Sequence, residues 1–152
     1  MNSLFRLFCF ALSAFLSSAT HAGPAVSGGL KSGEQVYEEV CSACHSTGVA
    51  HAPIFKNKES WAPLIAEGQP VLTGHAWVGM RAMPAKGGEP TLQLVEFARA
   101  VAWMTNQSGS DWKEPDTAMM RKIMREAEKQ LDKSIQESQI MKKELQKRRS
   151  SR

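Results

Sequence analysis

The sequence has few cysteines, no apolar run of membrane-spanning length and no pattern typical of a β-strand. Three cysteines in 152 residues cannot form the several bridges of a disulfide scaffold. The longest apolar run covers about ten residues, well short of the roughly 20 that a bilayer-spanning helix needs. No segment alternates apolar and polar residues over the length of a strand, which favours an all-α fold. With 42% hydrophobic and 22% charged residues, the chain is too apolar to be wholly disordered.

Positive charge is concentrated in one part of the chain. The formal net charge is +4, from 19 lysines and arginines against 15 aspartates and glutamates. Residues 23–110 hold six basic and seven acidic residues, whereas residues 111–152 hold 12 basic and eight acidic ones. The basic character therefore belongs to a C-terminal tail, and we expect no nucleic-acid binding by the near-neutral remainder.

The first 22 residues have the pattern of a secretory signal peptide. Arg6 precedes an apolar stretch, and small residues lead to a cleavage position after Ala22. We therefore predict export to the periplasm and no transmembrane segment after cleavage. Residues 23–31 are rich in glycine and proline and are predicted to form a flexible leader.

Residues 32–109 are predicted to form one small helical domain. Ser32 is placed as the N-cap of a helix that runs to Cys41, and apolar residues at helical spacing predict another helix over 91–105. Frequent glycines and prolines between them leave room only for short helices, over 59–67 and 71–79.

Residues 110–152 are predicted to form a charged amphipathic helix. An imperfect apolar stripe runs along it, but a coiled coil would place Ser134 and Ser138 in its seam, which weakens that interpretation. We expect this tail to be exposed, to fray near Lys147 and to have no partner that the sequence identifies. Its basic end is suited to weak contact with anionic lipid or with a partner protein.

The motif that carries chemistry is Cys-Ser-Ala-Cys-His at residues 41–45, the C-x-x-C-H pattern of haem c attachment. On one helical turn, Cys41 and Cys44 can form thioethers with one haem edge, and His45 can bind the iron from the same side. A thioredoxin-type pair would need a βαβ context, and a zinc site would need further cysteine or histidine ligands. The histidine directly after the second cysteine favours covalent haem c.

A second axial ligand is needed on the opposite side of the iron. The sequence offers Met80, Met83, His51 and His75 as candidates. We favour Met83 because a proline follows it and two glycines lie a little further on, so a rigid loop entry and a flexible exit could hold its thioether. Met80 remains an alternative, and His75 would give bis-histidine ligation and a lower reduction potential.

Residues 33–109, about half of the chain, resemble a class I cytochrome c, and most resemble the bacterial cytochrome c5 group. The C-x-x-C-H motif is specific for haem c, and Ala-Met-Pro followed by Lys-Gly-Gly is specific for this group. The resemblance depends on these stretches: Gly33, Val36-Tyr37, residues 40–45, Thr47-Gly48-Val49-Ala50, Ala52-Pro53, Trp61-Ala62-Pro63, residues 82–88 and Val101-Ala102-Trp103-Met104.

The resemblance implies short helices packed around one haem c attached through Cys41 and Cys44. It implies that His45 and Met83 are the axial ligands and that Pro53 presents its carbonyl to His45. This sequence departs from the pattern of the group in two places, and both departures affect only local structure. The second cysteine pair that is common in this group is absent, and Met80-Arg81 replaces small residues before the ligand loop.

Two packing expectations accompany this assignment. The resemblance implies that Gly33 and Tyr37 pack against the last domain helix near Trp103. A domain of some 80 residues has little core of its own, so a haem is expected to act as its apolar centre. The expected pocket walls are Ile54, Trp61, Leu64, Leu72 and Trp77.

With both axial positions taken, the predicted function is electron transfer and not enzymatic catalysis. The partners are then redox proteins that donate and accept electrons at the haem edge, and the sequence does not identify them. The alternative hypothesis is a haem-bearing subunit that its C-terminal helix fixes to a larger respiratory or redox complex. A haem enzyme such as a peroxidase would need an open distal site, which Met83 disfavours.

Overall fold

The structure is a computed structural model that describes residues 29–151, so the predicted signal peptide lies outside the described residues. Six α-helices follow one another: α1 (Gly33–Val36), α2 (Ser42–His45), α3 (Lys58–Ile65), α4 (Gln69–Val78), α5 (Leu94–Gln107) and α6 (Thr117–Ser150). A π-helical turn at Tyr37–Cys41 joins α1 to α2, and short 3-10 turns lie at Val49–His51 and Ala85–Gly88. Within 29–151 the only extended pairing is a single bridge between Met80 and Met83, so the predicted all-α fold is confirmed.

The N-terminal helix begins where its capping signal predicts. The Ser32 side chain accepts a hydrogen bond from the Gln35 backbone, and the Gln35 side chain accepts one from the Ser32 backbone. This reciprocal pair satisfies two amides that the first helical turn would otherwise leave unpaired. The start of this helix is therefore fixed by its own local chemistry.

Helix α1 crosses α5 at very close range. A Cβ built at Gly33 would lie 2.8 Å from the Cβ of Trp103 and would collide with the Arg99 carbonyl, so only glycine fits there. Next to this crossing, the Tyr37 ring stacks on Phe55 with ring centroids 4.2 Å apart and lies 5.1 Å from the Trp103 ring. The expected packing of Gly33 and Tyr37 near Trp103 is confirmed.

Helix α5 supplies much of the core. Phe97, Ala98 and Ala100 have no exposed surface, and Met104 has almost none. Two reciprocal hydrogen bonds join the Asn106 side chain to the backbone of Trp112, at 2.7 and 2.8 Å. These bonds hold the segment that leads from α5 to α6 against the domain.

The beginning of α6 packs against α4, which differs from the expectation of a fully exposed tail. Ile123 is fully buried and Ala127 is 8% exposed. A Cβ at Gly74 would lie only 2.8 Å from the Ala127 backbone nitrogen, so the two helices approach to backbone contact. The Gln69 side chain also donates a hydrogen bond of 3.0 Å to the Lys113 carbonyl. The first turns of α6 therefore belong to the packed body of the protein.

Beyond Ala127 the expectation of an exposed helix is correct. All residues from 135 to 151 are exposed, although the helix continues to Ser150 without ending near Lys147. Of the helices described, none has both the length and the apolar character to cross a bilayer.

Candidate haem-binding site

An apolar cavity of about 330 Å³ lies between the C-x-x-C-H helix, α4, α5 and the loop after α4. This volume falls within the range of about 300–1,000 Å³ that is usual for ligand pockets. Cys41, Cys44 and His45 line one side, and Met80 and Met83 line the loop side. The remaining walls are mostly apolar side chains: Val40, Trp61, Leu64, Leu72, Ala76, Phe97, Val101 and Met104.

His45 is fixed in orientation by the backbone that follows it. Its Nδ1 lies 2.9 Å from the Pro53 carbonyl oxygen, which can only accept, so Nδ1 carries the proton and donates. Nε2 is then the nitrogen with a free lone pair, as an iron ligand requires. Burial lowers the pKa of His45, and the hydrogen bond to Pro53 opposes this shift only in part. The net lowering of the pKa favours a neutral, metal-binding imidazole.

The loop from Ser46 to Pro53 folds back beneath His45. The Phe55 amide donates a 2.7 Å hydrogen bond to the His45 carbonyl, and the Trp61 indole Nε1 donates one of 2.9 Å to the Ile54 carbonyl. The Trp61 ring lies 5.7 Å from the His45 ring. Backbone and indole bonds together hold the Pro53 carbonyl in its position against the imidazole.

The two cysteines lie one helical turn from each other, as the motif predicts. Cys41 ends the π-helical turn and is half-buried, whereas Cys44 lies in α2 and is exposed. Burial and the nearby Cys44 raise the pKa of the Cys41 thiol to about 12. Both sulfur-bearing residues line the cavity, in keeping with thioether attachment on that side.

Met80 and Met83 flank a tight turn. The Met80 amide donates to the Met83 carbonyl at 3.1 Å, and the Met83 amide donates to the Met80 carbonyl at 2.9 Å. Arg81 occupies the left-handed region at φ 53°, where glycine is the favoured residue. The turn therefore holds a residue with a side chain in a conformation that favours glycine, and both methionines line the cavity.

The end of α4 fixes the other side of this turn. Gly79 has φ 93°, and a Cβ there would lie 2.7 Å from the Ala85 nitrogen and 3.0 Å from the Met83 carbonyl oxygen. Its missing side chain allows the loop backbone to pack directly on the helix end. In the sequence, Gly79 stands out only as one of the frequent glycines that interrupt the helices.

Two of the expected pocket walls are wrong. Ile54 is 40% exposed and does not line the cavity. The Trp77 ring packs edge-on against the Phe97 ring, with the two ring centroids 5.4 Å apart, and the Lys86 ammonium group lies over it. Trp77 therefore lies behind the cavity wall and does not line the cavity. Trp61, Leu64 and Leu72 do line the cavity.

Phe97, Val101 and Met104 also line the cavity, and none of them was among the expected wall residues. Their spacing of four and three residues on α5 is a signal that could have found them. His51 lies exposed at the cavity rim. His75 lies outside the cavity lining, with its Nδ1 3.7 Å from a Glu67 carboxylate oxygen, so the structure favours neither histidine as an iron ligand.

Residues 28–104 match the family model described as cytochrome c oxidase, cbb3-type, subunit III. Cytochrome c-555 of Chlorobaculum thiosulfatiphilum is 40% identical over 80 residues, which cover 50% of this chain and 93% of that protein. The chain belongs to the cytochrome c family. Cytochrome c5 of Azotobacter vinelandii is 36% identical over 62 residues, which cover 40% of this chain and 75% of that protein. A mono-haem ferrocytochrome c from Shewanella putrefaciens is 32% identical over 51% of this chain and 95% of that chain, with a TM-score of 0.46.

The predicted resemblance to cytochrome c is therefore confirmed, and the cofactor is haem c. Cys41 and Cys44 have the spacing that covalent attachment requires. The cavity fits this group, since a neutral imidazole lies on its attachment side and thioether side chains line the opposite loop. The match to the family model ends at residue 104, before α6 begins at Thr117.

Proposed function

We propose that this protein is a single-haem electron carrier of the periplasm whose iron is bound by His45 and Met83. One observation carries the proposal: an imidazole with its Nδ1 committed to Pro53 lines the same apolar cavity as the Met83 thioether. When bound, haem c supplies an iron that cycles between the ferric and ferrous states. The predicted signal peptide supports the periplasmic location.

The residues of the chain would hold both axial positions. Pro53 keeps the His45 ring in one orientation, and a bonded Nδ1 raises the basicity of the opposite nitrogen. The paired hydrogen bonds between Met80 and Met83 fix the backbone from which the Met83 thioether projects. With both axial positions filled, no coordination site remains for a substrate, which supports electron transfer over catalysis.

The apolar walls of the cavity also support electron transfer. Phe97 and Leu72 exclude water from the cavity, and a thioether ligand in an apolar pocket favours the ferrous state, so we expect a positive reduction potential. At the rim, exposed Cys44, Val49 and His51 leave one edge of the cavity open to the surface. A donor or acceptor protein would exchange electrons through that edge.

A methionine comparison tests the ligand assignment. Met83→Ala is expected to abolish the weak ferric methionine-to-iron absorption band and to lower the reduction potential. Met80→Ala, three residues earlier in the same turn, is the matched control and should keep the band. A band that survives in Met83→Ala and is lost in Met80→Ala would transfer the ligand role to Met80.

A fixed oxidase subunit is the second candidate function, and the description of the matched family model favours it. The two functions differ in where the intact protein is recovered. A carrier should appear in the periplasmic fraction, whereas a subunit should copurify with a cytochrome c oxidase from solubilised membranes. Recovery only with the oxidase would reject the diffusible carrier.

A further inference from the structure

The walls of the haem cavity carry almost no charge. Of the described residues that line the cavity, Arg81 is the only lysine, arginine, aspartate or glutamate. Haem c brings two propionate carboxylates, which lie on the pyrroles that do not carry the thioethers. A carboxylate that leaves bulk water for an apolar wall needs a charged or hydrogen-bonding partner. The bound cofactor therefore needs donors that few side chains of the cavity can supply.

Several donors on the cavity lining already have acceptors. The Nδ1 of His45 donates to the Pro53 carbonyl. The indole of Trp61 has a single N–H group, and it donates to the Ile54 carbonyl at 2.9 Å. The amides at the two ends of the methionine turn are paired with each other. None of these groups is free to bind a propionate.

Two nitrogen-bearing side chains on the lining, His51 and Arg81, have donors with no acceptor within residues 29–151. His51 is tied to the thioether edge of the haem site. Its amide donates to the Gly48 carbonyl at 3.2 Å, and the Gly48 amide donates to the Cys44 carbonyl at 2.9 Å. The backbone of His51 is thus fixed on the side where the cysteines attach the haem, and not on the side of the propionates.

The segment that follows Met83 also reaches the thioether edge. A Cβ at Gly87 would lie 3.2 Å from the Val40 Cγ1, and Val40 directly precedes Cys41. Arg81 comes before Met83, at the tip of the turn that the two methionines close. Arg81 is therefore the free donor that none of these contacts ties to the cysteine side.

The backbone of Arg81 has a conformation that is unfavourable for a residue with a side chain. Its φ is 53°, in the left-handed region. Lys56 and Lys86 also have positive φ, and each places its ammonium group over an aromatic ring. The exposed Arg81 forms no ion pair and lies over no ring within the described residues. Strained residues cluster at ligand-binding sites, so an unpaired charge in this conformation indicates a ligand.

We propose that the Arg81 guanidinium binds a propionate of the attached haem c. A planar guanidinium offers two parallel N–H groups to a carboxylate, a geometry that lysine lacks. Arg81 neutralises negative charge that would otherwise stabilise the ferric iron, so it raises the reduction potential. The inference adds a cofactor contact to the proposed function, and it rests on haem attachment and not on the identity of the sixth ligand.

The first test compares the reduction potentials of holoprotein variants. Arg81→Gln should lower the potential, whereas Arg81→Lys, which keeps the charge, should retain most of it. Arg121→Gln removes the same charge from an exposed position outside the cavity lining and should leave the potential nearly unchanged. An unchanged potential in Arg81→Gln overturns the proposal, and so does an equal fall in Arg121→Gln, which would assign the effect to net charge.

Arg81→Gly separates the charge from the strained backbone. Glycine adopts a positive φ freely, so this variant relaxes the turn while it removes the guanidinium. Its potential should match that of Arg81→Gln, and both variants should keep the ferric methionine-to-iron band of the wild type. A potential that falls in Arg81→Gln and recovers in Arg81→Gly would assign the shift to the loop and exclude the propionate contact. A wild-type protein without the band would reject the Met83 ligand and leave this comparison valid.

Resonance Raman spectroscopy of the ferrous holoprotein tests the contact itself. The bending vibration of a haem propionate shifts when its hydrogen bonds change. This vibration should shift in Arg81→Gln and, because an ammonium group lacks the planar fork, partly in Arg81→Lys. His51→Gln should leave it unchanged. A shift in His51→Gln without one in Arg81→Gln would transfer the propionate to His51, and no shift in either would show that Arg81 faces solvent or a partner protein. Both of these results overturn the proposal.

Discussion

Gly74 of α4 and Ala127 of α6 meet backbone to backbone: a Cβ at Gly74 would lie 2.8 Å from the Ala127 nitrogen. Leu72 and Ala76, which flank Gly74 on α4, line the haem cavity. One short helix thus has the cavity on one side and the C-terminal helix on the other. The beginning of α6 is part of the structure that supports the haem site.

Gly74→Val should detach the beginning of α6. The added side chain would collide with the Ala127 backbone and the Glu126 Cβ, and overpacking of this kind costs about 1–3 kcal/mol in the free energy of unfolding. The expected result is rapid proteolysis of the tail at lysines and arginines near Lys122, measured by limited trypsin digestion. Ala62→Val, at an exposed position on α3, is the control and should leave the digestion pattern unchanged.

A pair of neighbouring substitutions tests how much the α6 contact contributes to stability. Ile123→Ala should lower the free energy of unfolding by about 2–5 kcal/mol, because the side chain is fully buried and its loss leaves a cavity. Met124→Ala, one residue further and 42% exposed, should cost far less. Urea unfolding of the two holoproteins measures the difference. Equal losses would show that α6 does not pack on the domain in solution.

Local signals were sufficient to predict much of the fold. Ser32 with Gln35 forms the predicted start of the first helix, and the apolar spacing that leads to Val101 predicted α5 to within a few residues. The C-x-x-C-H motif predicted the cofactor because two thiols and a histidine on one helical turn have few other uses. These features depend on residues that are neighbours in sequence.

The features that the sequence did not predict depend on distant contacts. Nothing near Gly74 indicates that α6 returns to it, since the partner residue lies more than 50 positions later. Trp77 and Ile54 are apolar, as residues of a cavity wall usually are. The orientation of the Trp77 side chain is set by its contact with Phe97, and that of Ile54 by the loop beneath His45. Which apolar residue faces the cavity is therefore decided by tertiary packing.

Trp61→Phe tests the support of the loop beneath His45. The change keeps an apolar ring in the cavity wall but removes the indole donor to the Ile54 carbonyl, a hydrogen bond of 2.9 Å. We expect a loss of about 0.5–1.5 kcal/mol in the free energy of unfolding, measured by urea titration of the holoprotein. Trp112→Phe, at a partly exposed position, is the control for removing an indole. A larger loss in the control would show that the bond to Ile54 is not the cause.

Gly79→Ala should disturb the methionine side of the haem site. Gly79 has a backbone conformation that favours glycine, and a Cβ would lie within 3.0 Å of both the Ala85 nitrogen and the Met83 carbonyl oxygen. The loop must move to relieve this contact, and the strained backbone adds a cost of about 1–3 kcal/mol. If Met83 binds the iron, the ferric methionine-to-iron band should weaken or vanish in this variant.

Gly88→Ala separates crowding from backbone strain in the same loop. Gly88 also has a positive φ, of 88°, but a Cβ there would meet only the Pro84 Cγ at an ordinary contact distance of 3.4 Å. This variant should lose stability through strain yet keep the methionine band. Gly79 and Gly88 both have a positive φ, but only Gly79 lies against the Met83 backbone. Equal loss of the methionine band in both variants would show that this contact does not hold the ligand loop in place.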